Sequence, residues 1–280
     1  MTSASLLADL RSEARNAPPS GIVEVFMHGW GRKGLIPLWA GEGDMPTPSF
    51  ITDATTRSLA AGETFYTPNR GIPEYREAVA RYMSAMYGRE LKAERFLCTI
   101  GGMHALQMAL RMVSGAGDEV LIPTPAWPNF YGAAVVSGAQ PIDVPMSLHP
   151  RGNEHIWALN IDRMKAAVTP RTKAILPVHL YGLLCDMRAL RRIADASKLA
   201  IIEDAAHCVE GVRDGIQPGG LSDVACFSFY ATKTLATGEG GMIVTRNSDL
   251  AKRCRVMRLH GIDRDAFDRY TSSTPAWHYS

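Results

Sequence analysis

A mainly parallel, doubly wound α/β sheet with helices on both faces is the fold class this sequence predicts, and two observations predict it. From Arg95 onward, short apolar runs alternate with segments of helical periodicity, the pattern of strand–helix units in which each strand is buried on both faces. The chain has 280 residues, 46% of them hydrophobic, enough apolar surface for one large core.

The elements follow in order. Residues 1 to about 34 read as a polar helix-then-loop leader ending in Gly29, Gly31 and Gly34. From Phe50 two helical patterns appear. The second is the clearer, with Pro73 at a first-turn position, apolar side chains at Tyr75, Val79, Tyr82 and Met86, and Gly88 where a C-terminal glycine cap belongs. The expected strands are Phe96–Ile100, Glu119–Pro123, Gln140–Val144, Lys173–Val178, Leu199–Glu203, Val224–Phe229 and Met242–Thr245. Amphipathic helices are expected over Met103–Val113, with Leu106, Ala109, Leu110 and Val113 on one face, and over Met187–Leu199, with Met187, Leu190, Ile193 and Ala194 on one face.

Charge and cysteine usage exclude several function classes. Thirty Lys and Arg against 28 Asp and Glu give a net charge of +2, too little to steer the chain toward nucleic acid or an acidic membrane. The five cysteines are widely spaced and form no C-x-x-C pair, which argues for a reducing, cytoplasmic compartment and against a cysteine-bound metal. The N-terminus has no apolar core of a secretory signal, and the uncharged stretch from Val120 to Ile142 is broken by four prolines. The histidines His149, His155, His179 and His207 show no metal-ligand spacing, and His179 reads as structural or pocket-lining. Arg188, Arg191 and Arg192 read as a solvated face, and Met103, Met108 and Met112 as helix packing.

In doubly wound sheets ligands sit at the carboxyl ends of the strands. One such end runs into Gly101-Gly102-Met103 and a helix, leaving backbone N–H groups for an anion such as a phosphate, although a glycine pair is more often a plain tight turn. A second ends in Glu203 and Asp204: either a cap for a following helix, or an acid aimed at a ligand's protonated nitrogen. The third is followed by a Ser/Thr/Gly-rich loop carrying one lysine, Lys233, with hydroxyls at Ser228, Thr232, Thr234 and Thr237. A lysine so placed can form a Schiff base if burial or neighbouring cations lower its pKa. Cradle, acid and lysine in this order form the constellation of a pyridoxal 5′-phosphate (PLP) site.

From about Ala158 to the end, TPRTKAILPVHLYG, IIEDAAH, FSFYATKTLATGEGGM and RLHGIDRD resemble the DegT/StrS family of sugar aminotransferases. That resemblance implies the large domain of a fold-type-I PLP-dependent transferase, with Lys233 as Schiff-base lysine, Asp204 as partner of the pyridinium nitrogen, His207 beside the ring oxygen and Ser228 on the phosphate. From about Leu38 to Val144, LWAGEGDMPTP, FYTPNRGIPEYREAVARYM and PTPAWPNFYGA resemble instead the aspartate-type, class I aminotransferases of the same fold. This second resemblance implies Trp127 stacked on the cofactor ring, Tyr66 on the phosphate of a neighbouring subunit, Gly102 and Met103 as backbone donors, and the Gly41–Asp44 loop in the substrate pocket.

The two resemblances meet within about 145–161, as in a chain drawn from two families. They imply an N-terminal arm over 1–48, a PLP-binding domain over 49–280 and no C-terminal small domain. The expected protein is a cytoplasmic homodimer that moves an amino group from a small-molecule donor, with glutamate foremost, to a keto acceptor. The acceptor is a nucleotide-linked keto-sugar if the second half sets specificity and a 2-oxo acid if the first does. A catalytically silent PLP-binding protein is the alternative. Arg264 and Arg269 are further candidates for a substrate phosphate.

Overall fold

The computed structural model describes residues 10–39 and 44–258. In chain order the helices are α1 (Ser12–Arg15), α2 (Gly21–Gly29), α3 (Ser49–Ala60), α4 (Pro73–Tyr87), α5 (Gly102–Val113), α6 (Asn129–Val136), α7 (Ile161–Ala166), α8 (Met187–Ser197) and α9 (Ser248–Met257). The strands are β1 (Leu97–Thr99), β2 (Glu119–Thr124), β3 (Gln140–Pro145), β4 (Ser147–Arg151), β5 (Glu154–Ala158), β6 (Thr172–Ile175), β7 (Ala200–Asp204), β8 (Val224–Ser228) and β9 (Gly241–Val244).

Seven strands form one sheet in the order β1-β9-β8-β7-β6-β2-β3. From β3 through β8 every neighbour runs parallel, whereas β9 is antiparallel to both β8 and β1. The antiparallel return matters for the site. Because Ser228 pairs with Gly241 and Phe227 with Met242, the connection between them, which holds Lys233, must turn at the carboxyl end of β8.

The central strands are apolar on both faces, as the sequence requires of a sheet covered twice. Val120, Ile122 and Ile202 pack with Ala105, Leu106, Ala109 and Leu110 of α5. The alternate residues Leu121, Ile175 and Ile201 pack with Met187, Leu190, Ile193 and Ala194 of α8. Each buried Leu or Ile side chain is worth about 1.5–3 kcal/mol over an exposed one, so the two helices clamp the strands between them. Helix α4 begins with Pro73 and ends on Gly88 at φ 61°, as expected. It buries Val79, Ala80 and Met83 against Phe96, Phe227 and Met242.

Several expectations change. Tyr82 lies toward solvent, and the buried stripe of α4 is Val79, Ala80 and Met83. Strand β1 is shorter than expected, because Ile100 leaves the sheet and is exposed. Arg191 is no solvated charge: it is half-buried and bridges Asp195 at 2.8 Å and Asp223 at 3.1 Å. The leader is less polar than its reading, since α2 exposes Val23, Val25 and Met27. The hairpin β4–β5, turning at Gly152 with Leu148 opposite Trp157, falls inside the interval where the two resemblances meet. Its polar residues and Pro150 hide the alternation that would have announced it. All five cysteines are free thiols, and no helix among the described residues is long and apolar enough to cross a membrane.

Candidate active site

Strand alternation divides the two acids that close β7. Asp204 follows Ile202 onto the α5 side of the sheet, and Glu203 follows Ile201 onto the α8 side. The backbone of Asp204 is held on both sides: its N–H donates to the Pro177 carbonyl at 2.9 Å, and its carbonyl accepts from His179 N–H at 3.0 Å. No helix follows. The side-chain Oδ1 accepts from Ala206 N–H at 2.8 Å, an Asx turn, so the capping role open to an acid at this place is replaced by a turn that fixes the carboxylate at the strand's edge.

The lysine loop comes back to this turn. Phe229 N–H donates to Gly240 at 2.8 Å and Thr237 N–H to Phe229 at 2.9 Å, closing the loop's base. Within it Lys233 Nζ lies 2.8 Å from His207 Nε2. Burial lowers the Lys233 pKa while the Asp204 charge works to raise it. Burial likewise lowers the His207 pKa, and the lysine's charge adds to that. Burial pushes the Asp204 carboxyl up, against the Ala206 amide and the charges of Lys233 and His179. An amine, an imidazole and a carboxylate therefore share one poorly solvated cleft, and the net downward shift of Lys233 favours its nucleophilic free-base form.

Beside the cleft, α5 starts at Gly102 with no side chain capping it, so its first amides are left for an anion. A Cβ on Gly102 would lie 2.7 Å from Ser228 Cβ and 3.1 Å from its Cα. Only glycine lets the helix end approach β8 so closely, and the approach joins the Gly101–Gly102 turn to Ser228. Met103 is exposed on the first turn rather than packed like Met108, which corrects its reading as helix packing.

The remaining candidates stand farther out. Trp127, in the loop after β2, is 45% exposed at the carboxyl edge. Tyr66 is 91% exposed. Residues 41–43 of the expected Gly41–Asp44 substrate loop, the RLHGIDRD segment beyond Arg258, Arg264 and Arg269 lie outside the described residues. A shallow groove lined by Tyr87, Arg89, Phe96, Gly219 and Thr245 opens at the amino end of β8, away from the lysine cleft. Among the described residues no group of three or more His, Cys, Asp or Glu is placed to hold a metal.

Two features escaped the sequence reading. Tyr181 stands in a tight turn, Leu180–Gly182, with φ 51°, and its ring stacks on His207 at 5.4 Å and 15°. A non-glycine residue in the left-handed region beside a cleft marks a functional constraint. Below it His179 is wholly buried, with Nε2 2.8 Å from Glu203 Oε2. Burial alone would lower the His179 pKa, but the Cys185 side chain and the Glu203 carboxylate beside the ring outweigh it and push the pKa up. The run VHLYG carried the signal, because a tyrosine before glycine at the end of a buried strand has no packing reason to be there.

The model of the DegT/DnrJ/EryC1/StrS aminotransferase family matches residues 74–279. The chain belongs to this family. The matched residues include the 145–161 interval. Two curated relatives are the spore coat polysaccharide biosynthesis protein SpsC of Bacillus subtilis and the GDP-perosamine synthase of Caulobacter vibrioides. SpsC is 38% identical over 66% of this chain and 49% of its own length, and the synthase 37% identical over 69% and 49%. This family member thus spans about half the length of the curated relatives it matches. In shape it is similar to the aspartate aminotransferase of Thermus thermophilus, at a TM-score of 0.72 and 26% identity over 90% of this chain and 68% of that one. Family and fold are those of fold-type-I aminotransferases, whose cofactor is PLP. The residues present fit that group: an uncapped helix end seated on Ser228 suits a phosphate, and an acid and an amine stand in one cleft beside it.

Proposed function

We propose that the chain is the cofactor-binding part of a PLP-dependent aminotransferase that carries an amino group from glutamate to a nucleotide-linked keto-sugar, working as a homodimer. The observation that carries this reading is the contact of Lys233 with His207 beside the desolvated Asp204. The name of the GDP-perosamine synthase supports the nucleotide-sugar acceptor. PLP, when bound, supplies an electron sink for the carbon that loses its proton.

The chain's own residues do the rest. The first amides of α5, at Gly101, Gly102 and Met103, and the Ser228 hydroxyl hold the phosphate. Asp204, ionised, would pair with a protonated ring nitrogen, and that pairing would offset the burial that raises its own pKa. Lys233 would supply the amine that holds the cofactor and would take up and return the proton as general base and acid. His207, whose Nε2 lies 2.8 Å from Lys233 Nζ, would stand beside the cofactor ring. Trp127, exposed at the carboxyl edge, would cover a ring face, and Tyr66, exposed in its own subunit, would reach the partner's phosphate site.

A two-stage assay tests the reading. Glutamate is added to the PLP-loaded protein and loss of the cofactor's visible absorbance is followed; keto-sugar nucleotides and 2-oxo acids are then offered separately. Return of the absorbance with a keto-sugar nucleotide is expected. Return with oxaloacetate alone overturns the sugar acceptor, and no response to glutamate overturns the aminotransferase.

A further inference from the structure

The face of the sheet turned away from the cleft holds two polar side chains that the reaction described above does not use. Glu203 and His179 are both fully buried, 2.8 Å apart, under the end of β7. Each is tied to a different piece of chain. Glu203 accepts from Gly219 N–H at 3.2 Å, in the segment leading into β8. His179 Nδ1 accepts from Cys185 N–H at 3.3 Å, just before α8. A buried acid is costly unless paired and fully hydrogen-bonded, so a pair kept at this place has to be accounted for by what it holds.

What it holds is legible from the next bonds along. His179 N–H donates to the Asp204 carbonyl, so the histidine's backbone and side chain bracket the two acids of β7 at once. Two residues on, Tyr181 stacks on His207, whose Nε2 meets Lys233 Nζ. Displacement of His179 would therefore move the backbone of Asp204 and the turn under His207 together.

We propose that Glu203 and His179 form a positioning pair, which from behind the sheet fixes the strand end that aims Asp204 and the turn that seats Tyr181 against His207. The inference rests on the cofactor reading above. Neither residue touches cofactor or substrate; each acts through the residues it anchors. The bonds within the pair, not its charge, carry the effect: Glu203→Gln retains an oxygen to accept from the imidazole and from Gly219.

The test uses the whole chain loaded with PLP and reads three quantities: the cofactor's affinity, the visible circular dichroism of the bound cofactor, and the rate of the glutamate half-reaction. In His179→Ala the affinity should stay within about threefold, because the phosphate contacts lie on α5 and Ser228. The induced dichroism should fall at least about threefold and the rate about 100-fold, as expected when a supporting shell lets a reacting group drift by an ångström. Glu203→Gln should remain within about threefold on all three. His179→Gln, which keeps a donor for Glu203 but loses the bond from Cys185, should lie between, and it serves where His179→Ala does not fold. Wild-type dichroism and rate in either His179 variant overturn the proposal, and so does a loss in Glu203→Gln as deep as in Asp204→Asn, which would assign the effect to charge. A wild-type chain that binds no PLP overturns the cofactor reading instead, and the dichroism separates that outcome from failure of the glutamate half-reaction alone.

Discussion

The stretch from residue 21 to 66 and the block from β6 to β9 are both rich in apolar residues, and they use them in opposite ways. In the block, Ile175, Ile201, Ile202, Phe227 and Met242 are all buried. In the stretch, Val23, Met27, Trp30, Phe50, Phe65 and Tyr66 are exposed, and α3 buries nothing. The block makes its own core and therefore has a rigid edge on which to hold Lys233, Asp204 and His207. Among its described residues the stretch exposes large apolar side chains and buries only Gly29, the condition of a region completed by another surface. The homodimer proposed above, with Tyr66 at the partner's phosphate site, would meet that condition.

The sharpest break of the comparison is at the rigid edge. Lys233→Ala should abolish both the borohydride-reducible cofactor adduct and the half-reaction, read by absorbance and mass spectrometry. Asp204→Asn should leave cofactor affinity nearly intact while the half-reaction slows by about 100-fold or more, measured by stopped flow. It should also move a pH profile. The Asp204 charge raises the Lys233 pKa; without it the pKa falls further, so the rate of cofactor attachment should rise at a lower pH than in the wild type.

Much of the block was legible in advance because parallel strands buried on both faces write themselves as short apolar runs, and Gly101-Gly102 and Lys233 fall where the runs end. Legibility failed where meaning depended on which face a residue takes. Glu203 and Asp204 are adjacent acids in sequence, yet one turns into the α8 core and the other toward the cleft. Tyr181 acquires its place only from a left-handed turn that no periodicity announces. The exposed stretch misled in another way: the apolar spacing of α2 and α3 is ordinary, yet Val23, Met27, Phe50 and Leu59 remain exposed.

Smaller effects sharpen the contrast. Leu110→Ala, in the α5 core, should cost about 2–5 kcal/mol in denaturant unfolding. Phe65→Ser should change the stability of the isolated subunit by less than about 0.5 kcal/mol, yet shift sedimentation toward monomer. Equal stability losses in the two variants would erase the distinction between the regions.

The central claim is that Lys233 is the amine that takes the cofactor. The direct measurement is borohydride reduction of the PLP-loaded chain followed by peptide mapping. A pyridoxyl group on the peptide containing Lys233, and on no other lysine, is the predicted result. Stoichiometric labelling of a different lysine, or a reducible adduct that survives in Lys233→Ala, would contradict it.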